Sequence, residues 1–439
     1  MARRLFRILN TPIGIVLLIG FQAAALLLVA LLTLPQIGQW HALDLQVYFN
    51  DARSLLKGWV PYRDFNLEYP PLALAAFAGP FLAVRGKPLL FTEYAGLFLL
   101  QSAVLSAFIA WALARAAALS RPSRPAAVPL AVYTLLVVLT APLLPWRYDL
   151  FPALFTILAL VAVLAGKPAQ AGVWLGLGTA AKLYPVVLLP IVGAYYLASV
   201  DWRAVRRLGL GFAGALALVV LPLLLSGAGG AMMEFLHYHE LRGLQLESLP
   251  AGLILLAHMA GAARVSLSFN YGALHLVSPL ATATLRWLPL LFIALYGAVL
   301  LCALARFRQD QVRYGSIPSA SLVAYLTAAL LVFIATNKVF SPQYMIWLLP
   351  FVPLLRSRQV GIAVAAFLAT IALFPYDYAN LLALHDGPVL VLNMRNLLVA
   401  GLLVTLVARR RPSRSMLRLT IYALLRRIPL RLNNGSTRF

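Results

Sequence analysis

Long apolar runs alternate with short polar connections along this chain. Runs of near-membrane length fall at 11–34, 70–84, 89–113, 126–144, 150–165, 170–199, 208–225, 287–305, 318–335, 343–355, 359–374 and 388–408. Stretches of this size read as helices that cross or partly cross a bilayer, and about ten to thirteen transmembrane helices are expected. Between the first two runs the pattern changes. Leu45, Tyr48, Phe49, Ala52, Leu55 and Leu56 recur at helical spacing, whereas Gln46, Asn50, Arg53 and Lys57 fall elsewhere. A one-sided stripe of this kind predicts an amphipathic helix lying on the membrane surface and ended by Gly58. In "FNLEYPP" the paired prolines hold the backbone extended before the next helix.

Composition strengthens the membrane reading. With 62% hydrophobic and 11% charged residues and a mean hydropathy of +0.87, the chain lacks the polar residues needed to coat a water-soluble globule. A net charge of +23 would suggest nucleic acid in a soluble protein, but here the basic residues gather in clusters near Arg203, Arg308, Arg356 and Arg410 between apolar runs. That is the positive-inside pattern, so membrane lipids and not nucleic acid are the expected partners. Acidic, His-rich and aromatic connections alternate with these clusters and are expected outside. They comprise a first exoplasmic loop at 35–69, a large exoplasmic region at 226–286, "TNKVFSPQY" and "FPYDYANLLALHDGP". Residues 1–408 then form a single integral membrane domain, and 409–439 a basic cytoplasmic tail. "MARRLFR" before the first run has the charge layout of a secretory signal. The run is longer than a signal core and no A-x-A-like site follows, so it reads as an uncleaved span with a cytoplasmic N-terminus. Cys302 is the single cysteine, which excludes an intrachain disulfide.

The pattern leaves one choice open. If 70–84 crosses fully, the basic loop near Arg121 falls outside, and 170–199 is one kinked helix. If it re-enters, Arg121 falls inside and 170–182 and 183–199 are two short spans meeting at "KLYP". No Walker motif, GxGxxG after a strand or fixed-period repeat is present, which argues against the common ATP-driven transporters.

Only 13 residues are acidic, and Asp44, Asp51, Asp64 and Glu68 all fall within 43–71. Asp44, at the start of the predicted amphipathic helix, suits an N-cap and equally a general base facing a cavity above the membrane. Asp51 reads as a solvated helix-face charge. Glu68 suits contact with a sugar hydroxyl or a cap on the following helix. In "PWRYDLFPALF", Arg147 and Asp149 form an interfacial ion pair or line a site. Lys182, in "AGVWLGLGTAAKLYPVVLLP", costs about 2.5–3.5 kcal/mol near the bilayer centre unless it snorkels or meets an anion such as a lipid-linked phosphate. "ATNKVFSPQYMIWLLPF" sets Asn337, Lys338, Ser341, Gln343 and Tyr344 at a span boundary, as donors toward phosphate or sugar or as part of an aromatic belt. His237 and His239 have H-x-H spacing, with His258 and His275 further on, but no third metal ligand is legible.

"DLQVYFNDARSLLKGWVPYRDFNLEYPPLA", "AGVWLGLGTAAKLYPVVLLP" and "NKVFSPQYMIWLLP", in this order and spacing, together resemble glycosyltransferase family 87. These are polyprenol-phosphate-mannose-dependent mannosyltransferases of the GT-C superfamily. The resemblance implies an all-α polytopic membrane protein with a GT-C-like multi-span fold. It also implies an active site formed by the first exoplasmic loop, and inverting transfer of a sugar, expected to be mannose, from a polyprenyl-phosphate donor to a lipid or cell-envelope glycan acceptor. The family's essential first-loop acid maps onto Asp44. Glu68, Tyr69, Arg147, Asp149, Lys182, Tyr184, Asn337, Lys338, Gln343 and Tyr344 are the expected substrate-binding residues. "DLQ" carries one acid where many GT-C members carry a pair, which favours a reaction without a divalent metal or other cofactor. "WRYD" stands where relatives often have a Gly-Gln or Asn-Gly-Gln element. The competing reading is a non-enzymatic transporter or flippase of lipid-linked sugars, which would place charges near mid-membrane in paired half-helices.

Overall fold

A computed structural model describes residues 11–37, 39–120, 125–232 and 240–408. The expected N-terminal basic segment, His237, His239 and the tail at 409–439 lie outside the described residues. The elements in chain order are α1 (Pro12–Ile37), α2 (Gln39–Leu56), α3 (Ala73–Ala83), α4 (Phe91–Ser120), α5 (Ala127–Thr140), α6 (Leu150–Leu164), α7 (Pro168–Ala181), α8 (Leu189–Ala198), α9 (Trp202–Leu225), α10 (Leu249–Met259), α11 (Pro279–Tyr314), α12 (Ser319–Thr336), α13 (Ser357–Ile371), α14 (Tyr378–Leu382) and α15 (Asp386–Val407). Within the region 226–286, β1 (Leu244–Gln245), β2 (Ser266–Asn270) and β3 (Ala273–Val277) form a small antiparallel sheet in the order β1-β3-β2. The protein is thus an all-α polytopic membrane protein apart from this sheet. Among the described residues seven helices, α1, α4, α9, α11, α12, α13 and α15, are long and apolar enough to cross a bilayer, and shorter apolar helices pack between them. Exposed side chains such as Val16 and Phe21 on α1, Leu218 and Leu225 on α9, and Ile293 and Leu301 on α11 are the faces such helices offer to lipid.

The two ends of the bundle differ in charge. Ser319 Oγ donates to Ser120 O at 3.2 Å and Arg308 Nη1 to Ala198 O at 2.9 Å. The ends of α4, α8 and α11 therefore meet the start of α12 at one end. Arg203, Arg206 and Arg207 on α9's first turns share it. This geometry answers the open choice. Helix α3 has 11 residues, about 16 Å of rise against a hydrocarbon core of roughly 30 Å, so it does not cross. The run 170–199 is broken at Lys182, whose backbone is extended (φ −160°, ψ 140°), into α7 and a pair formed by the 3₁₀ turn Tyr184–Leu188 and α8.

Three expectations are corrected. The apolar stripe of α2 does not lie on lipid: Leu45, Tyr48, Phe49 and Ala52 are buried in one cluster with Phe77, Phe81, Tyr94 and Phe98 of α3 and α4. Asp44 is not the N-cap of α2, because the helix begins at Gln39 and Asp44 lies in its second turn. The run 343–355 is built as two 3₁₀ turns, Pro342–Leu348 and Val352–Leu354, since Pro342, Pro350 and Pro353 lack the N–H groups an α-helix needs.

The glycines of "AGVWLGLG" serve packing. A Cβ on Gly172 would stand 2.0 Å from Leu208 O, and one on Gly176 2.6 Å from Phe212 O, so α7 and α9 touch backbone to backbone as small-xxx-small helices do. Gly172→Val is expected to destabilise the fold by about 3 kcal/mol through overpacking. Gly209→Ala, where nothing lies within 4 Å of the new atom, should be tolerated. Thermal unfolding in detergent, read side by side for the two variants, checks this.

Candidate active site

At the end opposite the basic clusters the chain gathers most of its remaining buried charge. Helix α2 holds Asp44 above its buried stripe, and the 3₁₀ turn Leu144–Trp146 delivers Arg147 in extended conformation (φ −123°, ψ 140°). Arg147 Nη2 meets Asp44 Oδ2 at 2.8 Å, with the Arg147 side chain 5% and the Asp44 side chain 35% exposed. Asp44 therefore spends one oxygen on a buried cation and keeps the other reachable. Asp149, at the start of α6, has no exposed surface. Its Oδ1 accepts from Lys182 Nζ and from Trp347 Nε1, each at 2.6 Å, while Oδ2 has no partner among the described residues.

Aromatic rings wall this pair of ion pairs. Lys182 Nζ lies 4.6 Å from the Tyr148 ring centroid and 5.6 Å from that of Trp347, within cation–π range. Trp347 is sandwiched between Tyr184 at 4.3 Å and Tyr344 at 3.8 Å. Tyr69 sits edge-on to Tyr148 at 5.2 Å and to Tyr48 at 5.8 Å. The charged groups thus stand on a rigid aromatic floor joining α2, α6, α7 and the Pro342–Leu348 turn.

The structure brings Asp44, Tyr69, Arg147, Asp149, Lys182, Tyr184 and Tyr344 together; Glu68, next to Tyr69, acts on Asp51. Asn337 and Lys338 line a cavity of about 440 Å³ with Arg242, Leu285, Phe292 and Phe333, and Lys338 Nζ donates to Glu240 O at 2.7 Å. Gln343 is half-buried on the Pro342–Leu348 turn that also carries Tyr344 and Trp347. Asp64 is tied to Arg63 at 2.9 Å on the surface. His258 and His275 each bond a backbone carbonyl, Ala263 O and Asn270 O.

Asp51 corrects an expectation, for it is not solvated. It is 9% exposed with Oδ2 unpartnered. Burial first, and then the charge of Glu68, push its acid up to about 7.

Three further residues of the site carried no sequence reading. His41, stacked on Trp146 at 5.7 Å and bonded through Nε2 to Pro142 O at 2.8 Å, is held neutral, its imidazole lowered to about 3 by burial and by Arg147. Glu247, 3% exposed between β1 and α10, accepts from Gln245 Nε2 at 2.9 Å. Arg395 of α15 is 1% exposed, donates to Glu247 O at 2.6 Å and lies 3.7 Å over the Phe340 ring. A charge inside the apolar run 388–408 was the available signal for Arg395. Nothing local marks His41 or Glu247, which acquire their roles through contacts distant in sequence.

Among known protein families, the profile of glycosyltransferase family 87 matches residues 67–333. No curated protein and no solved structure matches the chain.

Because Asp51 takes up protons on folding that the unfolded chain releases near its ordinary carboxylate range, stability falls as pH rises from about 4 through 7. Thermal unfolding should therefore show a lower Tm at pH 8 than at pH 5.5. Asp51→Asn should raise Tm at pH 8 and flatten part of that slope, leaving the part contributed by Glu247, which burial likewise pushes up to about 7. An unaltered slope in the variant would show that the Asp51 carboxyl is not the titrating group.

Proposed function

The chain belongs to glycosyltransferase family 87, and from that premise we propose that it is an inverting enzyme that moves mannose from a polyprenyl-phosphate donor to a lipid or cell-envelope glycan acceptor. We place the reaction on the exoplasmic side of the cell membrane and the N-terminus in the cytoplasm. The basic clusters at the opposite end of the bundle support that orientation, since such clusters stay on the cytoplasmic face.

The observation that carries the reading is the division of labour between two carboxylates. Asp149 is buried and its Oδ1 is held by Lys182 and Trp347. Asp44 is held through Oδ2 alone and its side chain is 35% exposed, so it is the acid an acceptor hydroxyl can reach. In the proposed reaction Asp44 takes the acceptor's proton as the acceptor oxygen attacks the anomeric carbon. The bond from that carbon to the phosphate oxygen breaks, and its electron pair leaves with the polyprenyl phosphate. One base and no nucleophilic carboxylate give inversion. A retaining enzyme would need a second carboxylate free to attack the anomeric carbon.

Arg147 orients Asp44 and fixes which oxygen is open. Tyr69, Tyr148, Tyr184, Tyr344 and Trp347 offer flat faces of the kind sugar rings pack against. Lys182 keeps Asp149 compensated and lends positive potential to the floor. We propose that no divalent metal takes part, because the guanidinium of Arg147 already occupies the position beside Asp44 that a metal would need.

The test is glycosyl transfer by purified protein in lipid with polyprenyl-phosphate mannose and a panel of acceptors. Asp44→Asn should lower kcat by about a hundredfold or more, with folding unchanged. A folded variant with near-normal turnover would falsify the base assignment. Addition of a chelator should leave the wild-type rate unchanged, and strong inhibition would overturn the metal-independent mechanism.

A further inference from the structure

Of the cations Arg147, Lys182 and Arg395, two are ion-paired in direct contact with a carboxylate. Arg147 is paired with Asp44 and Lys182 with Asp149. Arg395 is buried to the same degree, yet among the described residues no carboxylate oxygen lies within ion-pair distance of it. Its contacts are a backbone carbonyl, Glu247 O, and the face of Phe340. Among the described residues its Nε has no partner, and neither have Gln245 Oε1, whose amide nitrogen bonds Glu247, or either side-chain atom of Asn396, the next residue of α15. A guanidinium held in an apolar helix with no carboxylate oxygen in contact is costly, and unpartnered buried polar atoms call for a polar ligand.

The cluster adjoins the residues around Asp44 and Asp149 through a chain of ring contacts. Phe340, under Arg395, neighbours Tyr344 at 6.4 Å, and Tyr344 stacks on Trp347, which bonds Asp149. On the other side Glu247 feels the charge of Arg147, the partner of Asp44. Phe374 closes the ring, lying 6.1 Å from His41 and 5.1 Å from Tyr378.

We propose that Arg395 is the phosphate-binding residue of this site, taking the phosphate group of a prenyl phosphate while Asp44 faces the acceptor across it. The inference rests on the lipid-phosphate reading of the donor given above. Lys182 and Arg147, the cations that the sequence suggested for this role together with Lys338, are already committed to carboxylates, and Lys338 Nζ donates to Glu240 O at 2.7 Å. A guanidinium fork suits phosphate oxygens. Sugar transfer converts a singly charged phosphodiester into a phosphate monoester of higher charge, so a fixed cation at this point stabilises the leaving group more than the donor. Glu247 opposes this, because its carboxylate competes for the field of Arg395 and repels phosphate.

Binding of farnesyl phosphate, with farnesol as the uncharged control, can be followed by tryptophan fluorescence on the full chain in lipid nanodiscs, without any turnover. Wild type should bind the phosphate and not the alcohol. Arg395→Gln should weaken binding roughly tenfold to a hundredfold, the worth of one charge-assisted bond. Arg395→Lys should fall between. Glu247→Gln should tighten binding, an effect that a merely structural role for the Arg395–Glu247 contact does not produce. It also decides the matter should Arg395→Gln fail to fold. Equal affinity in wild type and a folded Arg395→Gln, or unchanged or weaker binding in Glu247→Gln, would overturn the proposal while leaving the donor reading intact. Absence of farnesyl phosphate binding in wild type would overturn the donor reading, and this inference with it.

Discussion

Asp149 is the most constrained group in the protein, and much of the polar end is arranged to make it tolerable. A carboxylate with no exposed surface survives only if donors meet it directly. Two do, Lys182 and Trp347, each 2.6 Å away. For Lys182 to reach it, the helix that begins at Pro168 must stop at Ala181 and turn out into extended backbone, which is why the apolar run 170–199 is two short elements. For Trp347 to reach it, the run after Ser341 must be wound as a tight 3₁₀ turn. One buried acid thus ties α6, the end of α7 and the Pro342–Leu348 turn into a single frame, and the aromatic floor packs onto that frame.

Asp44 becomes distinctive against this background. The helix carrying it is fastened from beneath by Tyr48, stacked on Phe77 at 4.4 Å, and by Phe49 against Phe81 and Tyr94. Its own carboxylate is aimed by Arg147 from the side. A carboxylate held on a packed helix and oriented through one oxygen has little freedom left to lose, which is the economy that preorganised sites exploit. The same frame separates the two acids by burial: Asp149 is fully enclosed, and Asp44, the proposed base, is reachable.

The membrane class and most helix positions were legible because apolar runs respond to one dominant force, exclusion from water. Which face an element buries, and where it stops, were less legible. The stripe of α2 has the pattern of a lipid-lying helix, yet it packs on α3 and α4, since periodicity reports a buried face without naming what buries it. The apolar stripe of α2 begins only at Leu45, which puts Asp44 at the helix start in the sequence, whereas the helix begins at Gln39. Asp44, Arg147, Asp149 and Lys182 could be singled out as costly charges beside apolar runs. Their pairing could not, because it joins residues as far apart as Asp149 and Trp347. Lys338 drew attention for the same local reason as Lys182 but donates to the Glu240 carbonyl and not to a carboxylate of the site. His41 and Glu247 are marked by tertiary contact alone, whereas Arg395 stands out as a charge inside an apolar run.

The polar end is also where the fold works against itself. Asp51 beside Glu68, Glu247 in a buried turn and Arg395 in an apolar helix each spend stability, and none is needed to close a core. Stability is supplied elsewhere, by the backbone contact of α7 with α9 through Gly172 and Gly176 and by the buried middle of α12, where Leu322 to Leu331 pack on all sides. Rules of local consistency break at functional sites and hold in the scaffold around them. In this chain the breaks gather at one end of the bundle, around Asp44, and the helices that face lipid carry few of them. A charge kept where packing gains nothing from it is best explained by a ligand that does.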